Sequence, residues 1–551
     1  MTIFFKYTAS CFVVLLLSLL LSACGGEQVE LILCEDTIDT SSPVLNNGFG
    51  FNLNNTRNQL SPINASNVAN LELDFTLNAE NAQERRGAPA VTEQTIYYHT
   101  PNSVDAVNRE SGCIYWSYES SDRVRSASVT LVDEPSLNKR LVVVGTWMGW
   151  VIALDAETGE EIWKANAKAF GSDMITGGLQ YHNGRLYVPL ATKSVVFSVF
   201  QFLCCSSHGS LVALDSADGS EQWRFHTTEN ATRINLTRKG PNGVSIWSTP
   251  LLDVARNQVI VGTAQNLTQP TTHMENSVVA INMNNGEVNW VFQATANDAY
   301  NVTCDTTGEL VNHCDGPVFD WDVITPILTQ NSQGQDIIIA GDKKGSVYQL
   351  NPSTGDKNWE TRLGAGGTLG GIHWGMAVDE TQVYASIADA TAAKFSIFKS
   401  ALSSDAVNFT GLNFPMVQVP NAMPGIYALD KDTGTVNWEI HDTHYFNDML
   451  VDSIYSAALS VTNDVLFAAS LNGIVKAVRT SDGETLWSFD TDIAVDDIHG
   501  RVGNGGTIES AGPVIAGDNV LVNSGYNTFG GTNEFQAGPG NALFVFKLKD
   551  H

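Results

Sequence analysis

The eight cysteines carry the chemistry most directly set by residue type and spacing. Cys304 and Cys314 close a short loop and are expected to form an ordinary disulfide. Cys204 and Cys205 are adjacent, and adjacent thiols close a strained eight-membered ring. The alternative for them is a bridge to a distant partner such as Cys113. Otherwise Cys34 and Cys113 remain as a pair by elimination. Cys24 stands apart. It ends Leu21-Ser22-Ala23-Cys24, behind Lys6 and the apolar run 12–21. This is the pattern of a bacterial lipoprotein signal, in which Cys24 is lipidated and Cys11 leaves with the leader. The bland alternative is ordinary cleavage, with Cys24 incidental. Export to an oxidising compartment is what makes the other six cysteines candidates for bridging. No C-x-x-C-H attaches a haem, and no zinc-type spacing is present.

These thiols need a scaffold, and composition limits it. The chain has 551 residues, with Lys+Arg 30 and Asp+Glu 59, for a formal charge of -29. A single simple core stops growing well before this length, so the chain is modular. The acidic balance excludes nucleic acid as a partner, because no basic excess exists to displace counterions. It also disfavours adsorption to anionic lipid, leaving the Cys24 anchor as the route to a membrane. The apolar fraction of 43% and 47 glycines fit a turn-rich folded protein.

One phrase recurs along the chain: an alternating apolar strand, a turn containing Gly, then a strand carrying Trp. Its tryptophans are Trp116, Trp163, Trp223, Trp290, Trp359, Trp438 and Trp487, at intervals of 47, 60, 67, 69, 79 and 49. The shorter intervals match one four-stranded propeller blade, and the longer ones add loop. Period-2 alternation buries one strand face. The Asp-x-x-Thr-Gly turn takes a left-handed position that Gly supplies without steric cost. The Trp then packs between sheets. The final strand, 541–548, lacks a Trp partner, whereas residues 71–77 resemble the missing strand. Pairing the termini would complete an eighth blade and remove a sheet edge. The expected fold is therefore all-β, an eight-bladed β-propeller, with seven blades as the alternative. The division expected is a signal peptide over 1–23, a tether over 24–45 and the propeller over 46–551. Insertions near 189–208, 227–247, 295–322, 386–424 and 490–510 are expected over one channel mouth, where function concentrates.

Longer stretches carry a family resemblance. Cys204-Cys205-Ser-Ser-His-Gly, Gly240-Pro-Asn-Gly-Val-Ser-Ile-Trp247, Gly366-Gly-Thr-Leu-Gly-Gly-Ile-His373-Trp374 and Gly505-Gly-Thr-Ile-Glu-Ser-Ala-Gly-Pro513 are similar to segments of pyrroloquinoline-quinone (PQQ) dehydrogenases. They look like the polyvinyl-alcohol dehydrogenase branch, over about 46–548. The resemblance implies PQQ as cofactor and calcium as its metal. It places Trp247 beneath the quinone plane and Lys343 at the reactive quinone oxygens, where a fixed charge stabilises charge that develops. Thr176 and Arg125 fall at cofactor-contact positions, as do His373 and Trp374, although the wider family has Asn where His373 stands. The Cys204–Cys205 ring would lie over the cofactor as a lid.

The family base is an Asp in a motif similar to Asn297-Asp298-x-x-Asn301, which favours Asp298. Asp320 and Asp322, in Phe319-Asp320-Trp321-Asp322, are its rivals. An alcohol surrenders its hydroxyl proton as hydride leaves, so a carboxylate must stand there. For calcium the resemblance points to Gln265, Asn266 and Asp298, but Cys204 occupies the position of an expected Glu ligand.

The implied activity is PQQ-dependent oxidation of secondary alcohols, including polymeric polyols such as polyvinyl alcohol. Electrons would pass to an external cytochrome c or quinone. Two other readings share the fold: a cofactor-free lipoprotein that scaffolds outer-membrane assembly, and a degenerate quinoprotein that binds a ligand without turnover.

Overall fold

A computed structural model describes residues 31–80, 82, 84–305, 313–317, 319–367, 370–389, 421–446, 449–526 and 537–549. Eight antiparallel sheets of four or five strands form the propeller, and three two-stranded hairpins decorate it. In the second blade, the strands Thr130–Glu134, Lys139–Gly145, Trp150–Asp155 and Glu161–Asn166 are paired in sequence order. The eighth blade joins the two ends of the chain. Leu71–Asn78 pairs antiparallel with Ala542–Leu548, Leu71 opposite Leu548 and Leu77 opposite Leu543. The terminal strands thus close the ring as their complementary patterns indicate, and the blade count is eight.

The repeated phrase supplies the contact between blades. The Trp163 ring lies over Gly219 of the next blade, where a Cβ would approach it to 2.7 Å. Gly219 has φ +73°, so its turn independently requires glycine. The Trp163 indole N–H donates to the carbonyl of Ser216 at 3.0 Å. Trp116, Trp223, Trp290 and Trp438 cover Gly159, Gly286, Gly355 and Gly483 in the same way.

In such meanders the connections from second to third strand, and from fourth strand to the next blade, share one end. The described parts of the insertions all lie on those connections. The 386–424 insertion and the 1–23 signal with Cys24 lie largely or wholly outside the described residues. The segment 31–45, expected as a tether, is folded against the first blade. Val44–Asn46 adds a strand to it, and the Cys34–Cys113 disulfide fastens it.

The next segment fills the channel axis. Backbone carbonyls of Leu53, Asn54, Thr56 and Arg57 accept N–H bonds from Leu252, Leu328, Val378 and Val461, on the first strands of four blades. The buried Arg57 guanidinium donates to carbonyls of Phe49, Leu459, Ala511 and Pro513. This plug occupies the level of the inner strands. The loops that precede those strands lie beyond it. Among the described residues, no helix is long and apolar enough to cross a membrane.

Candidate active site

The repeat itself builds the site. Arg86 precedes the first-blade strand Ala90–Thr92, Arg125 precedes Thr130–Glu134, Thr176 precedes Gln180–His182 and Trp247 precedes Leu251–Asp253. Asp322, His373, Ser456 and Glu509 hold the corresponding places before Ile327–Gln330, Ala377–Val378, Ser460–Thr462 and Val514–Ala516. Each lies four or five residues ahead of its blade's first strand. The ring symmetry therefore delivers one residue per blade to the same level.

Trp247 is the hub. Its indole N–H donates to Asp322 Oδ2 at 2.8 Å. Its ring meets Trp374 edge-on at 5.4 Å between centroids and His373 at 6.2 Å. Thr176 is brought alongside, because a Cβ on the following Gly177 would come 2.8 Å from the Trp247 carbonyl. Trp247 is only partly buried and stands beside charged groups.

Lys343 Nζ donates to Asp320 Oδ2 at 2.6 Å, and both side chains are buried. Burial pushes the Asp320 carboxyl up to about 7, against the opposing pull of Lys343. Burial also raises the Asp322 carboxyl, opposed by Lys343 and by the N–H groups of Gln265 and Trp247. For Lys343, burial favours the neutral amine, but Asp320 and Asp322 outweigh it and hold the ammonium above its ordinary value. The two carboxylates and the lysine titrate as a unit. Asp320 sits at φ +56°, a left-handed conformation that Asp adopts more readily than most residues.

Asp298 reaches this cluster in a different capacity. Its oxygens accept the backbone N–H groups of Phe319 at 2.9 Å, Asp320 at 3.3 Å and Trp321 at 3.1 Å, and the Asn276 amide at 2.8 Å. It ties down the turn that aims Asp320 and Asp322.

Gln265 N–H donates to Asp322 Oδ1, and Gln265 Oε1 is buried without a hydrogen-bond partner. Neighbouring Asn266 is already committed: its amide donates to the Asn242 carbonyl and its oxygen accepts from Thr272. Cys204 is bonded to Cys205. Calcium takes six to eight oxygens, and no group of three or more His, Cys, Asp or Glu side chains placed to hold a metal is found among the described residues. The donors present do not fit calcium.

The Cys204–Cys205 disulfide forms, as does Cys304–Cys314. The adjacent pair is fully buried and packs with Leu267 and Val195, and this cluster does not include Trp247. It packs beside Leu267, on the loop that carries Gln265.

Arg125 is paired with Glu84, donates to Tyr526 Oη at 3.0 Å and stacks on Trp147. Arg86 was not among the sequence candidates. It donates to the carbonyls of Arg125 and Thr176, and lies over the rings of Trp374 at 4.9 Å and Tyr526 at 5.4 Å. Burial lowers its guanidinium to about 9. The Nε atoms of Arg86 and Arg125 are buried without partners. A signal for Arg86 did exist, since Arg86-Gly-Ala and Arg125-Ser-Ala occupy matching places in successive repeats.

Two buried arginines beside a partly exposed indole suit a flat ligand carrying carboxylates. Residues 52–363 match the family described as glucose/ethanol/alcohol dehydrogenase, beta-propeller domain. Residues 320–543 match the family of outer membrane protein assembly factor BamB. The polyvinylalcohol dehydrogenase of Pseudomonas sp is 30% identical over 528 residues, 93% of this chain and 78% of that protein. That of Sphingopyxis sp. (strain 113P3) is 30% identical over 522 residues, 91% and 76% respectively. The solved quinohemoprotein alcohol dehydrogenase ADHIIG of Pseudomonas putida HK5 superposes with a TM-score of 0.66 at 16% identity, covering 93% of this chain and 82% of that one.

Proposed function

The chain belongs to the PQQ-dependent quinoprotein dehydrogenases and is an alcohol dehydrogenase-like enzyme of the polyvinyl-alcohol dehydrogenase type, and from that premise we propose that it oxidises secondary alcohols, including polymeric polyols, and passes the electrons to an external cytochrome c or quinone. We place it outside the cytoplasm, anchored through Cys24, on the strength of the leader pattern. The observation that carries the catalytic reading is the buried Lys343–Asp320 ion pair, with Asp322 hydrogen-bonded to the Trp247 indole.

PQQ, when bound, supplies the two-electron acceptor for the hydrogen on the alcohol carbon. The rest falls to the chain. Trp247 offers the flat surface against which a planar ligand rests. Arg86 and Arg125 bring positive charge to its acidic edge. Lys343 faces the charge that develops as the ligand is reduced, in a buried setting where an oriented charge acts strongly. The alcohol's hydroxyl proton passes to the Asp320–Asp322 pair, whose buried carboxyl near 7 suits a base at neutral pH. Asp298 holds that pair in position. No step is assigned to calcium.

Reconstitution tests the reading. The protein without residues 1–24 is mixed with PQQ, with and without calcium, and dye reduction is followed with secondary alcohols and polyvinyl alcohol. Expected is quenching of tryptophan fluorescence on binding, and turnover that collapses in Asp322→Asn. Failure of the folded protein to bind PQQ would overturn it in favour of a scaffold. Binding without turnover on any alcohol would leave a ligand-binding quinoprotein.

A further inference from the structure

The turn that carries Asp320 also carries an aromatic pair that the proposed chemistry does not use. Phe319 and Trp321, the residues on either side of Asp320, stack at 4.3 Å between ring centroids and 19° between planes. Both backbone N–H groups end on the Asp298 carboxylate, so the pair is mounted as firmly as the carboxyl between them. Asp320 itself is buried against Lys343, whereas Phe319 is 37% exposed and Trp321 is only partly buried. The pair lies on the connection from the fourth strand of one blade, Val288–Gln293, to the first strand of the next, Ile327–Gln330. That places it at the same end of the propeller as the Trp247 loop.

The surroundings narrow the ligand. Lys344 Nζ and Arg362 Cζ lie 5.8 Å and 5.5 Å from the Trp321 ring centroid. Both cations are engaged by the chain itself. Lys344 donates to Glu360 at 3.2 Å, and Arg362 donates to the carbonyls of Gly364 at 3.0 Å and Ala365 at 2.7 Å. The stack therefore suits an uncharged chain of C–H and hydroxyl groups better than an anion, because aromatic faces bury apolar area without calling for a counter-charge.

Geometry supplies the occupant. An alcohol that gives its proton to Asp320 brings its carbinol carbon to that carboxyl. In a polymer both neighbours of that carbon continue as chain, and an arm leaving the site passes the residues beside Asp320. Their Cα atoms are about 3.8 Å from that of Asp320. We propose that the Phe319–Trp321 stack is a subsite for a polymeric secondary alcohol, holding the units next to the one being oxidised. The proposal rests on the reading of the Asp320–Asp322 pair as the base, but the contact with the polymer can be measured without turnover.

Native electrophoresis of the cofactor-free protein without residues 1–24, through gels with and without polyvinyl alcohol, reads the contact directly. Expected is retardation by the polymer, with an apparent affinity about tenfold weaker in Phe319→Ala, as the loss of one packed ring implies. Leu60→Ala, which trims an apolar side chain 87% exposed elsewhere, should leave it unchanged. A wild-type protein that is not retarded would overturn the proposal, as would an equal loss in Leu60→Ala, which would mean general apolar adsorption. Should Phe319→Ala not fold, Phe319→Leu decides: it keeps apolar bulk, removes the flat ring and should still lose affinity several-fold. With PQQ added, kcat/KM per hydroxyl should rise from 2-propanol to the polymer, and Phe319→Ala should abolish the rise while leaving 2-propanol unchanged. Equal losses on both substrates would make Phe319 a support of the turn and overturn the subsite. Absence of turnover on any alcohol overturns the catalytic reading, while the electrophoresis still judges the subsite.

Discussion

Trp163 and Trp247 are the same residue type put to opposite uses. Trp163 belongs to the repeated phrase: its ring covers a turn glycine of the next blade and its N–H ends on a backbone carbonyl. Every demand it makes is met by the periodic scaffold. Trp247 lies in an inter-blade loop, partly open, with its N–H on a carboxylate and its ring against two other aromatic groups. It depends on side chains that occur once in the molecule. A symmetric fold thus separates its duties by radius. Repeating contacts between neighbouring blades hold the ring, and eight equivalent loop positions near the axis are free to diverge.

The separation predicts separable losses. The largest falls on turnover. Asp322→Asn should reduce it by roughly 10²–10⁴-fold with little change in melting temperature. The rate should rise with pH through an apparent value near 7, because the Asp320–Asp322 pair must be unprotonated to accept the alcohol's proton. Stability should move the other way. A carboxyl whose folded pKa lies above its ordinary 3.8 binds more protons folded than unfolded. Stability therefore falls as pH rises from about 4 to about 7, and Asp320→Asn should flatten that fall. A rate that shows no change between pH 6 and 8 would remove this pair as the base.

The next effect is a reversal between the two tryptophans. Trp163→Ala should cost about 3–5 kcal/mol of stability and leave PQQ affinity in the surviving folded protein nearly unchanged. Trp247→Ala should lose PQQ binding at a smaller cost in stability. Chemical denaturation and fluorescence titration of both variants measure this. Equal losses in both properties would erase the distinction.

What the sequence revealed follows the same division. The blades were legible because their contacts repeat: alternation, turn glycine and Trp recur seven times, and the terminal strands complement each other. Cys304–Cys314 was legible because its loop is short. The site was legible only in part. Trp247, Lys343, Asp320 and Asp322 stood out by their surroundings, and the structure gathers them. Asp298 had the better motif, but a motif does not show that three backbone N–H groups converge on its carboxylate. Ser456 and Glu509 meet His373 from two other blades, 83 residues away in the case of Ser456. No local pattern announces such a meeting. Arg86 could have been found by aligning the repeats on the loop position rather than on the tryptophan.

The smallest effect offers the finest test of what the repeating tryptophans contribute. Trp359 occupies the same place as Trp163 and covers Gly434, where a Cβ would come within 2.6 Å of its ring. Its indole nitrogen, however, is buried without a hydrogen-bond partner, whereas that of Trp163 meets the Ser216 carbonyl. Replacing either by Phe keeps an aromatic ring over the glycine and removes the N–H. At Trp163 this deletes a bond and strands a carbonyl, so Trp163→Phe should cost about 1 kcal/mol more than the loss of ring area alone. At Trp359 it removes an unmet donor, so Trp359→Phe should cost less by that margin, the relief of an unsatisfied group offsetting lost contact. Urea denaturation of the two single variants gives the comparison. Equal costs would mean that the indole N–H is incidental to the phrase and that ring packing alone keeps tryptophan there.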